Sequence, residues 1–206
     1  MSRYQLDTAE AKYQPGSNHQ VLLNKLNVTD LEEMHDIEAQ LLFLLYTKVF
    51  SHPTELEAFT FQDIISWHRQ WLGNVYYWAG RIRNVRMSKQ GFEFAAPPQI
   101  VKLIHQFEQA YLAKIPQISQ LSKDELVSLL AQTHVEFILI HPFREGNGRI
   151  SRLLMDYMSW QAGYGLLDYS LWDTHKAFYF RSIQAGVGGD YQYIERLVRD
   201  ILDGES

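Results

Sequence analysis

The stretch His141-Pro142-Phe143-Arg144-Glu145-Gly146-Asn147-Gly148-Arg149-Ile150-Ser151-Arg152 decides how the rest of the chain is read. It gathers a histidine, a carboxylate, an asparagine between two glycines, and two arginines within one short span. Just downstream, Ile150, Leu153, Leu154, Tyr157 and Met158 recur at helical spacing, which predicts a helix with one buried face. The glycines then fall just before or at its N-terminus. Backbone N–H groups there lack intrahelical partners, and the dipole adds about half a positive charge. Glycine lets an anion approach such a backbone closely. Arg149 and Arg152 occupy the first turn, where a cation is mildly unfavourable. That placement predicts a compensating anion, either a carboxylate of the chain or the phosphates of a ligand. Upstream, Pro142 pushes the preceding residue out of helical conformation, so His141 is expected to end a helix.

Composition bounds the possibilities. The chain has 206 residues, enough for one domain with a sizeable core, and its 46% hydrophobic content predicts a globular protein. A net charge of −5 gives no general attraction to nucleic acid or to an anionic membrane. The absence of cysteine excludes disulfides, thiol nucleophiles and cysteine zinc sites, and suits a reducing cytoplasm. The N-terminus has no apolar core of signal-peptide length, and no apolar run reaches the roughly 18 residues of a membrane span.

Residues 1–25 read as an irregular arm around Pro15-Gly16-Ser17-Asn18, and 26–206 as a single domain. Thr29 with Glu32 predicts the cap of a first helix, with Leu31, Met34, Ile37, Leu41, Leu42 and Leu45 on one face and Ser51-His52-Pro53 at its end. A second helix is expected from Thr60 to Gly73, burying Phe61, Ile64, Ile65, His68, Trp71 and Leu72. Alternation at Arg83, Val85 and Met87, resuming at Phe92-Glu93-Phe94 around Ser88-Lys89-Gln90-Gly91, predicts a β-hairpin. A third helix carries Ile100, Ile104, Phe107 and Tyr111, and Ser122 with Glu125 caps a fourth. Asp173 is expected to cap a helix ending at Gly186, and Asp190 to cap the last. The expected class is all-α with one small hairpin. His134, two helical turns before His141, reads as a buried, hydrogen-bonded histidine rather than half of a zinc pair, since no third ligand stands at useful spacing.

The opening stretch also resembles the Fic signature, His-x-Phe-x-(Asp/Glu)-Gly-Asn-Gly-Arg-x-x-Arg, and fills every fixed position. The resemblance implies a Fic-type helical bundle and, for most proteins of this pattern, protein adenylyltransferase activity: AMP moves from ATP, with Mg2+, onto a Ser, Thr or Tyr hydroxyl of a target protein. It makes His141 the general base and Glu145 the magnesium ligand. Gly146, Asn147 and Gly148 then offer backbone N–H groups, and Asn147 its amide, to the phosphates. Arg152 takes the γ-phosphate, and Arg149 lies near the phosphates or braces the loop. Residues 83–94 become a flap that clamps the target by strand addition, with Gly91 and Phe92 near its tip and Lys89 and Gln90 approaching the nucleotide. Tyr179 aligns with an aromatic near the adenine, and Gln184 or Val187 falls where relatives carry an asparagine. Phe143 anchors the loop. Gly148 stands where the phosphotransferase branch has a lysine, which argues against kinase-like chemistry. Phosphocholine transfer and a nucleotide-binding regulator without turnover are the alternatives.

Many Fic proteins are held off by a glutamate in (Ser/Thr)-x-x-x-Glu-(Gly/Asn). Thr29–Glu33 has this spacing but is followed by Met34, and no full match occurs. The resemblance therefore implies either a separate small antitoxin or a relaxed motif at Thr29–Glu33.

Overall fold

Helix α4 (Lys123–Ile140) is apolar around most of its circumference, and that places it at the centre. Leu126, Leu130, Ala131, Val135 and Phe137 are all buried on it. The computed structural model describes residues 9–51, 58–89 and 91–204. Among them α4 packs against α3 (Pro97–Ala110), α5 (Asn147–Gln161), α7 (Lys176–Ala185) and α8 (Gln192–Leu202). Helix α1 (Leu31–Val49) packs on α2 (Phe61–Leu72), α2 packs on α5, and α6 (Ser170–Thr174) is a short turn before α7. A 3-10 stretch, Leu112–Gln120, joins α3 to α4. No helix among the described residues is long and apolar enough to cross a membrane.

Of the expected caps, Ser122 with Glu125 stands as predicted, whereas Thr29, Asp173 and Asp190 are not the N-caps of their helices. Thr60 and Ser122 form capping boxes with Asp63 and Glu125. The first helix, however, is capped by Asp30, whose Oδ1 accepts the Glu33 N–H at 2.8 Å, and not by Thr29. Both registers fit the pattern, and aspartate is the better acceptor. The predicted terminator His52-Pro53 lies outside the described residues; α1 itself ends at Val49. Asp173 sits inside α6 rather than capping a helix, because its carboxylate is bonded to Arg152. Asp190 stands just ahead of α8 and accepts the Gln192 N–H at 3.3 Å.

The hairpin is shorter than the alternation suggested. Among the described residues of the hairpin, β1 (Ser88–Lys89) and β2 (Phe92–Glu93) pair, antiparallel, with Ser88 opposite Glu93 and Lys89 opposite Phe92. Gly91, just ahead of β2, has φ +81°, a conformation that tight hairpin turns require. Next to the sheet the two legs are joined by the Phe94 N–H donating to Met87 O at 3.1 Å, and further back Arg83 is buried. Pro97 and Pro98 open α3, where their missing N–H groups cost nothing.

The arm is irregular but attached. A bridge joins Tyr13 to Leu22, Lys25 N–H donates to Val75 O, and Arg144 Nε donates to Glu10 O at 2.6 Å. His134 is a core residue, as expected. Its ring lies 2.8 Å from both the Tyr179 hydroxyl and the Ser151 hydroxyl, linking α4, α7 and α5. Burial pushes it down to about 3, so it is neutral.

Candidate active site

The signature loop is built by four local devices. First, α4 ends at His141 in left-handed conformation, φ 49° and ψ 59°. Second, Phe143 is fully buried and stacks on His68 with 3.9 Å between ring centroids. His68 Nδ1 accepts the Gly80 N–H at 2.8 Å, so its Nε2 carries hydrogen and donates to Glu145 O at 3.1 Å. Third, Gly146 has φ +81°, and a Cβ there would stand 2.5 Å from the Trp71 ring. Fourth, Asn147 folds its amide back onto the loop. Its Oδ1 accepts the Phe143 N–H at 2.9 Å, and its Nδ2 donates to Phe143 O at 2.7 Å. That bracing takes the amide oxygen and one of the two Nδ2 hydrogens, and Asn147 still lines the cavity described below.

Helix α5 begins with Ile150 N–H donating to Gly146 O at 3.0 Å. The N–H groups of Asn147, Gly148 and Arg149 precede it and have no intrahelical partner. The Gly146 N–H, by contrast, is bonded to Glu145 Oε1 at 2.9 Å. A Cβ at Gly148 would meet nothing within 4 Å, so open space faces the helix start.

A cavity of about 510 Å³ lies over these groups. His141, Glu145, the Gly146–Gly148 segment, Arg149 and Arg152 all line it. Lys89 and Phe92 enter from the hairpin, and Tyr179 from α7. Gln184 lines it too, whereas Val187 is exposed elsewhere. Gly91 sits exposed at the hairpin turn, and Gln90 lies outside the described residues. Lys89 Nζ rests 4.8 Å from the centroid of the Phe180 ring.

His141 is oriented by its backbone and by stacking. Its Nδ1 lies 3.2 Å from Ile138 O, and a carbonyl only accepts, so Nδ1 carries the hydrogen and the Nε2 lone pair is available. The ring stacks on Phe94 at 3.6 Å between centroids. Burial pushes its pKa down to about 4, aided by the nearby Arg83 and Lys89 cations. It is therefore neutral at pH 7 and able to accept a proton.

Both arginines already have acidic partners, so the anion expected for this turn comes partly from the chain. Arg149 Nη1 donates to Glu38 Oε2 at 2.7 Å, and its guanidinium lies over Trp71. Arg152 is held by Asp173 and lies over Tyr169. Glu33 is exposed in the first turn of α1, and the carboxylate that Arg152 bonds is that of Asp173. Glu38 was legible only as a carboxylate on the buried stripe of α1, one turn after Met34. It is 3% exposed and also accepts the Tyr76 hydroxyl at 2.7 Å. Among the described residues no group of three His, Asp or Glu is placed to hold a metal.

A profile of the Fic/DOC family matches residues 58–159. The chain is 30% identical over 152 residues to "Probable protein adenylyltransferase y4lH" of Sinorhizobium fredii, a match covering 74% of this chain and 76% of that protein. The chain belongs to the Fic/DOC family. This Fic chain is also 31% identical over 143 residues to "Protein adenylyltransferase Fic" of Nematostella vectensis, covering 69% of this chain but 32% of that protein. It thus spans about a third of that relative's length. Its fold is that of a Fic domain. BepC of Bartonella tribocorum, solved with bound AMPPNP, superposes with a TM-score of 0.77 at 23% identity, covering 95% of this chain and 97% of that one. The N-terminal Fic domain of a Bartonella sp. AR 15-3 effector gives 0.79 at 19% identity, covering 98% and 95%.

Proposed function

We propose that this chain is a protein adenylyltransferase that uses ATP with magnesium. One observation carries the reading: a neutral imidazole with a free Nε2 shares its cavity with the unpaired N–H groups that open α5. The attacking hydroxyl oxygen of the target forms a bond to the α-phosphorus. The bond from that phosphorus to the bridging oxygen breaks, pyrophosphate leaves, and the hydroxyl proton passes to His141 Nε2. The N–H groups of Asn147, Gly148 and Arg149 are fixed donors for the charge that develops on phosphate. Arg152 and Arg149 supply positive charge beside them.

The residues present fit magnesium. Glu145 has a carboxylate 46% exposed on the cavity, and magnesium commonly takes one or two carboxylates plus substrate phosphates. Glu145 would hold the ion, which neutralises phosphate charge when bound, and in doing so would release the Gly146 N–H. The hairpin is where a target segment would dock, with Phe92 on the cavity side. Since Thr29–Glu33 is not engaged with Arg152, inhibition by a separate small antitoxin is the better-supported arrangement. The lack of cysteine suits a cytoplasmic setting.

The test is label transfer to proteins of a cell lysate with magnesium and ATP labelled at either the α or the γ position. Label incorporated from the α position alone supports AMP transfer. Label from the γ position, or tight ATP binding with no incorporation from either, overturns it in favour of phosphoryl transfer or a nucleotide-binding regulator.

A further inference from the structure

Arg83 is 2% exposed; the nearby Glu10 carboxylate offsets part of its charge but bonds the Asn84 N–H, and the hydrogen bonds of the guanidinium go to no carboxylate. A buried guanidinium is normally paired with an acid, because an uncompensated charge in the interior is costly. Here every acceptor is a main-chain carbonyl. Nε donates to His141 O at 2.5 Å and Nη2 to Ile140 O at 3.3 Å. Nη1 donates to Val85 O at 2.6 Å, and Nη2 also to Ala95 O at 2.7 Å. The Arg83 N–H donates to Pro142 O at 2.9 Å.

Two of these carbonyls close α4, where the last C=O groups lack partners and the dipole is negative. A helix usually satisfies them with N–H groups of the residues that follow. Pro142 has none to give. The other two carbonyls belong to the two legs of the hairpin, Val85 leading into β1 and Ala95 leaving β2. Ala95 N–H in turn donates to Leu139 O at 3.1 Å, and Phe94 between them carries the ring on which His141 stacks. The guanidinium is thus a single rigid fork gripping both hairpin legs and the backbone of the base.

We propose that Arg83 is a positioning residue for transfer, fixing the His141 imidazole relative to the hairpin on which the target hydroxyl is presented. The inference rests on the transferase reading above and adds to it a residue that touches neither nucleotide nor target. The charged groups that act on the imidazole are Arg83 and Lys89 of β1, and Glu145, Arg149, Arg152, Asp173 and Lys176 line the same cavity.

Arg83→Lys and Arg83→Met separate positioning from folding. Lysine keeps the charge but replaces the planar fork with one ammonium. Expected for Arg83→Lys is a kcat for target modification lowered about 100-fold, the cost of a displacement near 1 Å at a reacting group. ATP affinity should stay within about twofold of the parent, since no nucleotide contact is lost. In Arg83→Met, the His141 ring followed by NMR should titrate at higher pH than in the parent, because a neighbouring cation is gone. Unchanged kcat in Arg83→Lys, loss of ATP affinity by the same factor as kcat, or an unchanged His141 titration in folded Arg83→Met would overturn the inference. So would failure of both variants to fold, which would assign Arg83 to stability alone. A parent protein that binds ATP without transferring label sinks the transferase reading, while the His141 titration still decides the role of Arg83.

Discussion

Arg152 is bonded through both terminal nitrogens to Asp173, Nη2 to Oδ1 at 2.7 Å and Nη1 to Oδ2 at 3.3 Å. The pair holds the Asp173 carboxyl below its usual range. On the proposed reading a γ-phosphate competes for the same guanidinium. Asp173 is 62% exposed, so solvent screens the pair and its worth is at most about 1 kcal/mol. Asp173→Asn should therefore bind ATP up to about fivefold more tightly in calorimetry at low salt, with the gain shrinking as salt rises. Weaker binding would mean that the carboxylate aids the nucleotide instead.

The acid limb of activity should lie well below the free-histidine value. A general base works in its neutral form, and burial holds His141 neutral down to about pH 4. The kcat/KM profile should be flat from pH 7 to about 5 and fall near 4. A limb at about 6.5 would show an imidazole open to solvent.

Stability should follow the same direction. His68 and His134 are also pushed down by burial, to about 4 and about 3. Below about pH 6.5 the unfolded chain therefore binds more protons than the folded one. This contribution to stability is complete above that pH and is lost as pH falls towards 4. Melting temperatures measured from pH 7.5 to 4.5 should decline through that window, and a constant value would contradict it.

Two glycines distinguish folding from binding. Gly146→Ala puts a methyl 2.5 Å from the Trp71 ring at a φ of +81°, and should lower stability by about 1–3 kcal/mol. Gly148→Ala meets no neighbour and has ordinary helical φ, so the melting temperature should hold or rise. Its methyl enters the space proposed for phosphate, and ATP affinity should fall by about 1–3 kcal/mol. Equal ATP binding by Gly148→Ala and the parent would place the phosphates elsewhere.

Glu38 supports the site from outside the residues matched by the family profile. Glu38→Gln keeps the Tyr76 hydrogen bond but removes the charge opposite Arg149, whose guanidinium can turn partly to water. A loss of about 2 kcal/mol, or roughly 4–8 °C in Tm, is expected by calorimetry. No change in Tm would show that the pair only breaks even against its desolvation.

The sequence disclosed what depends on near neighbours. Ser122 with Glu125, the start of α2 after Thr60, and the buried Phe61, Ile64, Trp71 and Leu72 all stand where local pattern put them. So do the end of α4 at His141, though in left-handed rather than extended conformation, and the glycine that opens α5. What stayed hidden depends on partners distant in the chain. Arg83 alternates in phase with Val85 and Met87 and so resembled a strand residue, while its acceptors lie as far away as His141. Asp173 resembled a cap because nothing local announces Arg152 as its partner. The bracing of Asn147 against Phe143, through its amide oxygen and one Nδ2 hydrogen, was likewise not announced by its residue type.

The most direct measurement is transfer of label from α-labelled ATP to target protein by the parent and by His141→Ala, with ATP binding measured on both. Expected is unchanged ATP affinity and a transfer rate lowered by about 100-fold to 10,000-fold in His141→Ala. Equal labelling by the two proteins would contradict the role of His141 and, with it, the whole assignment of chemistry to this cavity.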